Sequence, residues 1–208
     1  MKVELISLTP AAARVIEEAG RTCYMSFENM GPGSAGEFIR RIIRAGHLSV
    51  LEHASAGFRL SGVSRSCTHQ LVRHRLCSFS QRSQRYVSEK GFKYVEPGSV
   101  SVSSEASGLY RKTMERISEA YSELVKMGIP REEARYLLPN GCRTEIVLTA
   151  NFRQLRHMIE LRGGPRAQRE IREVFIEILR ILREKVPECF CDFSIDEEEK
   201  VIRRKGDE

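Results

Sequence analysis

Thr144-Glu-Ile-Val-Leu-Thr-Ala-Asn-Phe-Arg-Gln-Leu-Arg-His-Met-Ile-Glu-Leu-Arg-Gly-Gly-Pro165 switches within a few residues from strand-like to helix-like patterning. Thr144 to Thr149 predicts a strand. Asn151 then predicts the N-cap of a helix through Arg162, with Phe152, Leu155 and Ile159 at helical spacing. Gly163-Gly164-Pro165 interrupts it. Ala167 to Val186 predicts a second amphipathic helix whose core face carries Ile171, Val174, Phe175, Ile178 and Leu182.

Upstream, Pro130 opens a helix with Glu132 and Glu133 in its first turn, where the helix dipole favours negative charge, and Pro139 closes it. Glu105 to Gly128 predicts the longest helix, striped by Tyr110, Met114, Ile117, Tyr121, Leu124 and Val125. Pro97 to Ser104 is a Ser-rich connector. Near the N-terminus, Lys2 to Leu8 predicts a strand, and Pro10 to Gly20 a helix with proline at its entrance and glycine at its exit. Gly31 to Gly36 predicts a loop, and Glu37 to Ala45 a helix burying Phe38, Ile39, Ile42 and Ile43, with Gly46 past its end. Ala54 to Gly62 predicts a strand with Phe58 and Leu60 inward, Ser64 to Arg75 a helix, and Leu76 to Gln84 a loop. From Asp196 to Glu208 the chain is nearly all charge, which predicts a fraying tail.

The 208 residues suit one large domain or two small ones at roughly 100–200 residues each. No repeat or composition break divides them, so the expectation is one domain over residues 1–193 and a charged C-terminal tail over 194–208. Hydrophobic residues make up 41%, too many for a disordered chain. No apolar run approaches the ~18–20 residues that span a bilayer, and Met1 to Leu8 carries Glu4 inside too short an apolar core for a signal peptide. The expectation is a cytoplasmic protein without a membrane partner. The six cysteines, at 23, 67, 77, 142, 189 and 191, match neither zinc nor thioredoxin spacing and read as free, mostly buried thiols. A net charge of +6 favours an anionic partner without choosing among phosphate-bearing small molecules, nucleic acid and acidic lipid.

Arg65 to Ser88 stands apart. It holds Arg65, Arg73, Arg75, Arg82 and Arg85 with His69 and His74, and no acid. An ordinary arginine cluster is a solvated face; five guanidiniums with no carboxylate among them repel unless an anion joins them from elsewhere. Between them lie Ser78, Ser80, Gln81, Ser83 and Gln84, which hydrogen-bond phosphate oxygens, sugar hydroxyls and base edges. A second basic run carries Arg153, Arg156, Arg162, Arg166 and Arg169 against Glu160 alone, with Arg153 and His157 four apart on one helix face. The histidines form no H-E-x-x-H or other helical i, i+4 ligand pair, so no metal site is expected. Gly31-x-Gly33-x-x-Gly36 matches the dinucleotide fingerprint literally but lacks a leading strand and a βαβ unit.

Arg73-His74-Arg75, seven residues, then Ser83-Gln84-Arg85 resembles the signature R-H-R-x7-S-x-R of the flavin-dependent thymidylate synthases. The resemblance continues at His47-x-Ser49-x-x-Glu52-His53, at Gln70, at Arg135 ahead of Leu138-Pro139, and from Asn151 through Arg153, His157 and Arg162 to Ile171. Such a resemblance implies an α+β fold of the thymidylate synthase-complementing protein type, a single domain with a central, largely antiparallel sheet flanked by helices. It implies reductive methylation of dUMP to dTMP, with 5,10-methylenetetrahydrofolate as carbon donor and co-substrate, FAD as electron carrier and NADPH as reductant. It also implies a homotetramer with active sites shared between chains.

Residue by residue, the resemblance assigns FAD to Ser49, Arg73, His74, Arg75, Gln81, Asn151, Arg153 and His157. It assigns dUMP to Gln70, Arg73, Gln81, Arg82, Ser83, Gln84, Arg85, Arg135 and Arg162, with Arg162 the main catalytic group. Relatives with Asn and Glu in mid-signature differ from this chain, which has Ser80 and Gln81; a hydrogen-bonding role at Gln81 is what remains. Arg162 has a chemical rationale: a guanidinium fork on the N3/O4 edge of uracil stabilises negative charge on the ring and enriches C5. Ser83 is not read as a nucleophile, because its sequence neighbours are cations and amides that cannot take its proton. The competing readings are a nucleic-acid binder, which would need an RNP motif, zinc finger or recognition helix that the chain lacks, and a metal-dependent nucleotide hydrolase.

Overall fold

The computed structural model describes residues 1–204. Its first elements are β1 (Lys2–Leu8), α1 (Ala12–Thr22), α2 (Ser34–Arg44), β2 (Ser55–Ser64), α3 (Arg65–Leu71) and β3 (Ser78–Gln81). Next come α4 (Gly98–Ser101), α5 (Ser104–Lys126), α6 (Arg131–Ala134), β4 (Arg143–Asn151) and α7 (Phe152–Gly163). The last are α8 (Arg169–Lys185), α9 (Pro187–Phe190), β5 (Phe193–Asp196) and β6 (Val201–Arg204). Four strands form a sheet in the order β1-β2-β4-β3, and β5 pairs antiparallel with β6. This is the mixed helix and antiparallel-sheet architecture that the sequence implies. No helix among the described residues is long and apolar enough to cross a membrane.

The chain gathers into two compact units interleaved along the sequence: residues 1–2, 60–73 and 80–146, and residues 3–59, 74–79 and from 147 onward. Neither is a continuous stretch, so no cut in the sequence separates them. In the first, Phe92, Met114 and Cys142 form a small core, with Tyr94, Tyr110, Ile117 and Leu138 packed on it. The long helix α5 turns Met114 and Tyr121 fully inward and leaves the rest of its stripe half covered. In the second unit, all five core-face residues predicted for α8 are fully buried. Asn151 caps α7 as predicted, its Oδ1 accepting from the Gln154 amide at 2.8 Å.

Several boundaries depart from the sequence reading. Gly20 lies inside α1 rather than past its end, because the Phe38 ring packs where a side chain would go; a Cβ there would come within 2.3 Å of the ring. α2 begins three residues early, at Ser34, with Gly33 at its N-cap in the left-handed region (φ 80°). α3 stops at Leu71 instead of reaching Arg75, since Val72 faces solvent and packing no longer supports the helix. Leu76 to Gln84 is a loop only at its two ends: its polar Ser78-Phe-Ser-Gln81 is an edge strand beside β4, where a polar sequence is tolerated.

The C-terminal tail does not fray within the described residues. Asp196 Oδ1 accepts from the Glu198 and Glu199 amides at 3.1 and 3.0 Å, and Lys200 adopts φ 54°, turning the chain back. Val201 and Ile202 are buried, and Ile202 fills the space that a Cβ on Gly163 would occupy. Residues 205–208 of the predicted tail lie outside the described residues. Ile202→Ala is expected to cost about 2–5 kcal/mol in urea unfolding, the range for truncating a buried isoleucine. A change below about 0.5 kcal/mol, as for surface positions, would return the tail to the frayed class.

Candidate active site

In the first unit, a serine caps α3: Ser64 Oγ accepts from the Cys67 amide at 3.0 Å. Arg65 follows at once, half buried, and its Nη2 donates to the Arg82 carbonyl at 2.9 Å. Arg82 is held from several sides. Its amide donates to the Glu145 carbonyl at 2.9 Å, and Nη2 reaches the Arg143 carbonyl at 2.7 Å and both Glu89 carboxylate oxygens at 3.1 Å. Glu89, the first acid after the acid-free stretch, is buried and supplies a missing counter-charge. Burial pushes its carboxyl up, against the pull of Arg82. Burial likewise lowers the Arg65 guanidinium, with Glu89 opposing and Arg82 and Arg135 adding. The Nε atoms of Arg65 and Arg82 are buried with no acceptor among the described residues, which suits an acceptor-rich neighbourhood.

Gln81 and the residues after it make further contacts in the same unit. Gln81 Nε2 donates to Thr68 Oγ1 at 2.8 Å and lies 3.5 Å from Thr144 Oγ1. Gln84 Nε2 lies 3.9 Å from Cys142 Sγ. Arg85 Nε donates to Glu132 at 2.9 Å, and the Arg135 Nε to the Glu132 carbonyl at 3.1 Å, so these two arginines converge on one residue. Ser83 Oγ accepts from the Arg85 amide at 3.2 Å. Gln70 sits in the last turn of α3, and Arg73, two residues past its end, is exposed.

In the second unit, His74 is buried to 6% exposure. Arg162 Nε, from the last turn of α7, donates to His74 Nε2 at 2.9 Å, so that nitrogen carries no proton and the ring is neutral, protonated on Nδ1. Burial, with Arg162 and His157 adding, pushes the imidazole down to about 4. His157 meets His74 edge to face, with ring centroids 6.0 Å apart. Arg153, one turn before His157, bonds Glu52 at 2.6 Å. Ser49 and Arg75 are exposed.

Asn151, Arg153 and His157 line one open cavity of about 630 Å³, within the roughly 300–1,000 Å³ usual for small-molecule sites. Its wall also includes Gln154, Phe193 and Arg204. Amide, imidazole and guanidinium donors outnumber its two acids, Glu52 (paired with Arg153) and Glu160, a set that fits a phosphate-bearing cofactor such as FAD. The first unit carries Gln70, Arg73, Gln81, Arg82, Ser83, Gln84, Arg85 and Arg135, and the second carries Ser49, His74, Arg75, Asn151, Arg153, His157 and Arg162.

Four contributors escaped the sequence reading. Gln154 lies 3.5 Å from His74 Nδ1, and its helical spacing from Asn151 and His157 was the available signal. Glu89 was legible only as the next acid along the chain. Phe193 and Arg204 carried no signal: Phe193 ends the predicted domain outside any predicted element, and Arg204 lies in the stretch read as a tail.

Residues 4–188 match the family described as thymidylate synthase complementing protein. The chain belongs to that family. A relative within it, the flavin-dependent thymidylate synthase of Geobacter sulfurreducens, is 42% identical over 200 residues, covering 92% of this chain and 86% of its own. A second, from Mycobacterium bovis BCG, is 39% identical over 198 residues, covering 87% and 79%. Among solved structures, thymidylate synthase X of Helicobacter pylori with FAD and dUMP superposes at a TM-score of 0.75 with 26% identity, over 91% of this chain and 97% of that one. This thymidylate synthase complementing family member is thus similar in fold to a protein whose structure holds both a flavin and a deoxynucleotide.

His74 is held neutral in the fold but carries its ordinary affinity near 6.5 when unfolded. The unfolded chain then binds more protons between those values, so His74's contribution to stability is complete above about pH 6.5 and falls as pH drops toward about 4. NMR titration should show the His74 ring still neutral at pH 5.5. A midpoint near 6.5 would mean that the Arg162 bond is not formed.

Proposed function

We infer that this protein is a flavin-dependent thymidylate synthase: dUMP, 5,10-methylenetetrahydrofolate, NADPH and a proton yield dTMP, tetrahydrofolate and NADP⁺. The observation that carries the reading is His74, from the arginine signature, accepting a hydrogen bond from Arg162 beside a donor-lined cavity. Bound FAD would supply the redox chemistry that links NADPH to reduction of the one-carbon unit. The protein's own groups bind, orient and polarise.

Asn151, Arg153 and His157 would hold FAD in the cavity, and the resemblance assigns Ser49, Arg73, His74, Arg75 and Gln81 to the same cofactor. Gln70, Arg73, Gln81, Ser83, Gln84, Arg85 and Arg135 would hold dUMP, with Arg82 bracing them through Glu89. Neutral His74 puts no second cation beside Arg162, and the Nε bond aims the guanidinium, whose fork would polarise the uracil edge. Ser83 Oγ accepts from the Arg85 amide, its sequence neighbours are cations and amides, and it is read as a phosphate or ribose contact. The reading carries with it a homotetramer with shared sites, in the cytoplasm; Leu76 and Tyr136, exposed at 78% and 87%, are surfaces such an assembly would cover.

The direct test is incubation with FAD, NADPH, dUMP and methylenetetrahydrofolate, assayed for dTMP; a purified protein that forms none refutes the reading. Arg162→Ala should cut dTMP formation by about 10²–10³-fold, the scale for one polarising donor, while NADPH oxidation by the bound flavin persists. Equal loss of both half-reactions would place Arg162 in flavin binding alone. Ser83→Ala should keep measurable turnover, and complete loss with dUMP binding intact would reopen covalent catalysis by serine.

A further inference from the structure

The hairpin β5–β6 lies beyond the residues that the family match covers, yet it forms part of the cavity wall beside Asn151, Arg153 and His157. Its attachment is specific. Asp192, at its base, accepts from both terminal nitrogens of buried Arg156 on α7 and from Arg204 Nε at 3.2 Å. The Arg156 guanidinium also lies over the Phe193 ring, 4.8 Å from its centroid. One carboxylate thus stands between two guanidiniums. Arg156 is 3% exposed and committed to Asp192 and the Cys189 carbonyl. Arg204 keeps only its Nε edge on Asp192, and its side chain remains 31% exposed. Its terminal nitrogens meet no acceptor among the described residues, although Glu160, an exposed acid, also lines the cavity. An arginine tethered at Nε with its outer fork open is pre-organised for an oxyanion, because less side-chain freedom is lost on binding.

We propose that Arg204, aimed by Asp192, binds the phosphate-bearing part of FAD, so that the C-terminal hairpin is part of the flavin site. This rests on the flavin reading above and adds to it a ligand residue from outside the family match. Phe193 closes the apolar side of the wall and packs Arg156 in place.

The test uses purified full-length protein titrated with FAD and, separately, with riboflavin, which has the ring system and no phosphate, following flavin fluorescence. Arg204→Gln is expected to weaken FAD binding about tenfold, the size of one charge-assisted hydrogen bond, and to leave riboflavin binding unchanged. Arg204→Lys should recover part of the loss. Equal loss for both ligands would make the hairpin a structural support only, and undiminished FAD affinity would likewise overturn the proposal. Should the glutamine variant fail to fold, the lysine variant is judged by the same pair of titrations, with an FAD-selective loss expected. Wild-type protein that binds no FAD would instead defeat the flavin reading itself.

Discussion

A guanidinium removed from water must be matched by acceptors at close range, since the desolvation of an unpaired charge is several kcal/mol. Arg156 meets that constraint with a two-pronged bond to Asp192 and a third acceptor in the Cys189 carbonyl. Burial alone would push the Asp192 carboxyl up, but the Arg156 bonds outweigh it and leave it below its ordinary value. The pair thus stays ionised, and it ties helix α7 to the segment that leads into β5. Because α7 also presents Arg153, His157 and Arg162, the same contact positions the cavity wall and the helix that carries the candidate chemistry.

A second constraint is the neutrality of His74. Two cations in contact would repel in a buried place, so the imidazole serves as acceptor and leaves the positive charge to Arg162. The arginine signature contributes the acceptor and the later helix contributes the donor. Eighty-eight residues of sequence separation close into one hydrogen bond. The acid-free stretch is resolved in two ways. Arg82 and Arg85 find Glu89 and Glu132 within the fold, whereas Arg73 and Arg75 remain exposed. Repulsion among five arginines is therefore relieved in part from inside, and the remaining charge is what an anionic substrate and cofactor would meet.

Periodicity made the helices legible: the apolar face of α8, the capped start of α7 and the extent of α5 all follow from residue spacing. The site residues were legible through a dense run of arginines and through motif order. Short polar strands were not. Ser78 to Gln81 has one apolar residue, and only pairing with β4 makes it a strand. Gly20 shows the same limit, since its role depends on a phenylalanine from another helix.

The amino-acid sequence by itself determined the helical faces, the family signature and the chemistry that those residue types can perform, because these depend on local spacing and side-chain identity. Tertiary structure alone decided which acids neutralise which arginines, that His74 is an acceptor, and that a charged C-terminal stretch becomes a hairpin beside the cavity. Those outcomes depend on burial and on contacts between residues far apart in the chain, where desolvation and pairing compete over a few ångströms that no local pattern records.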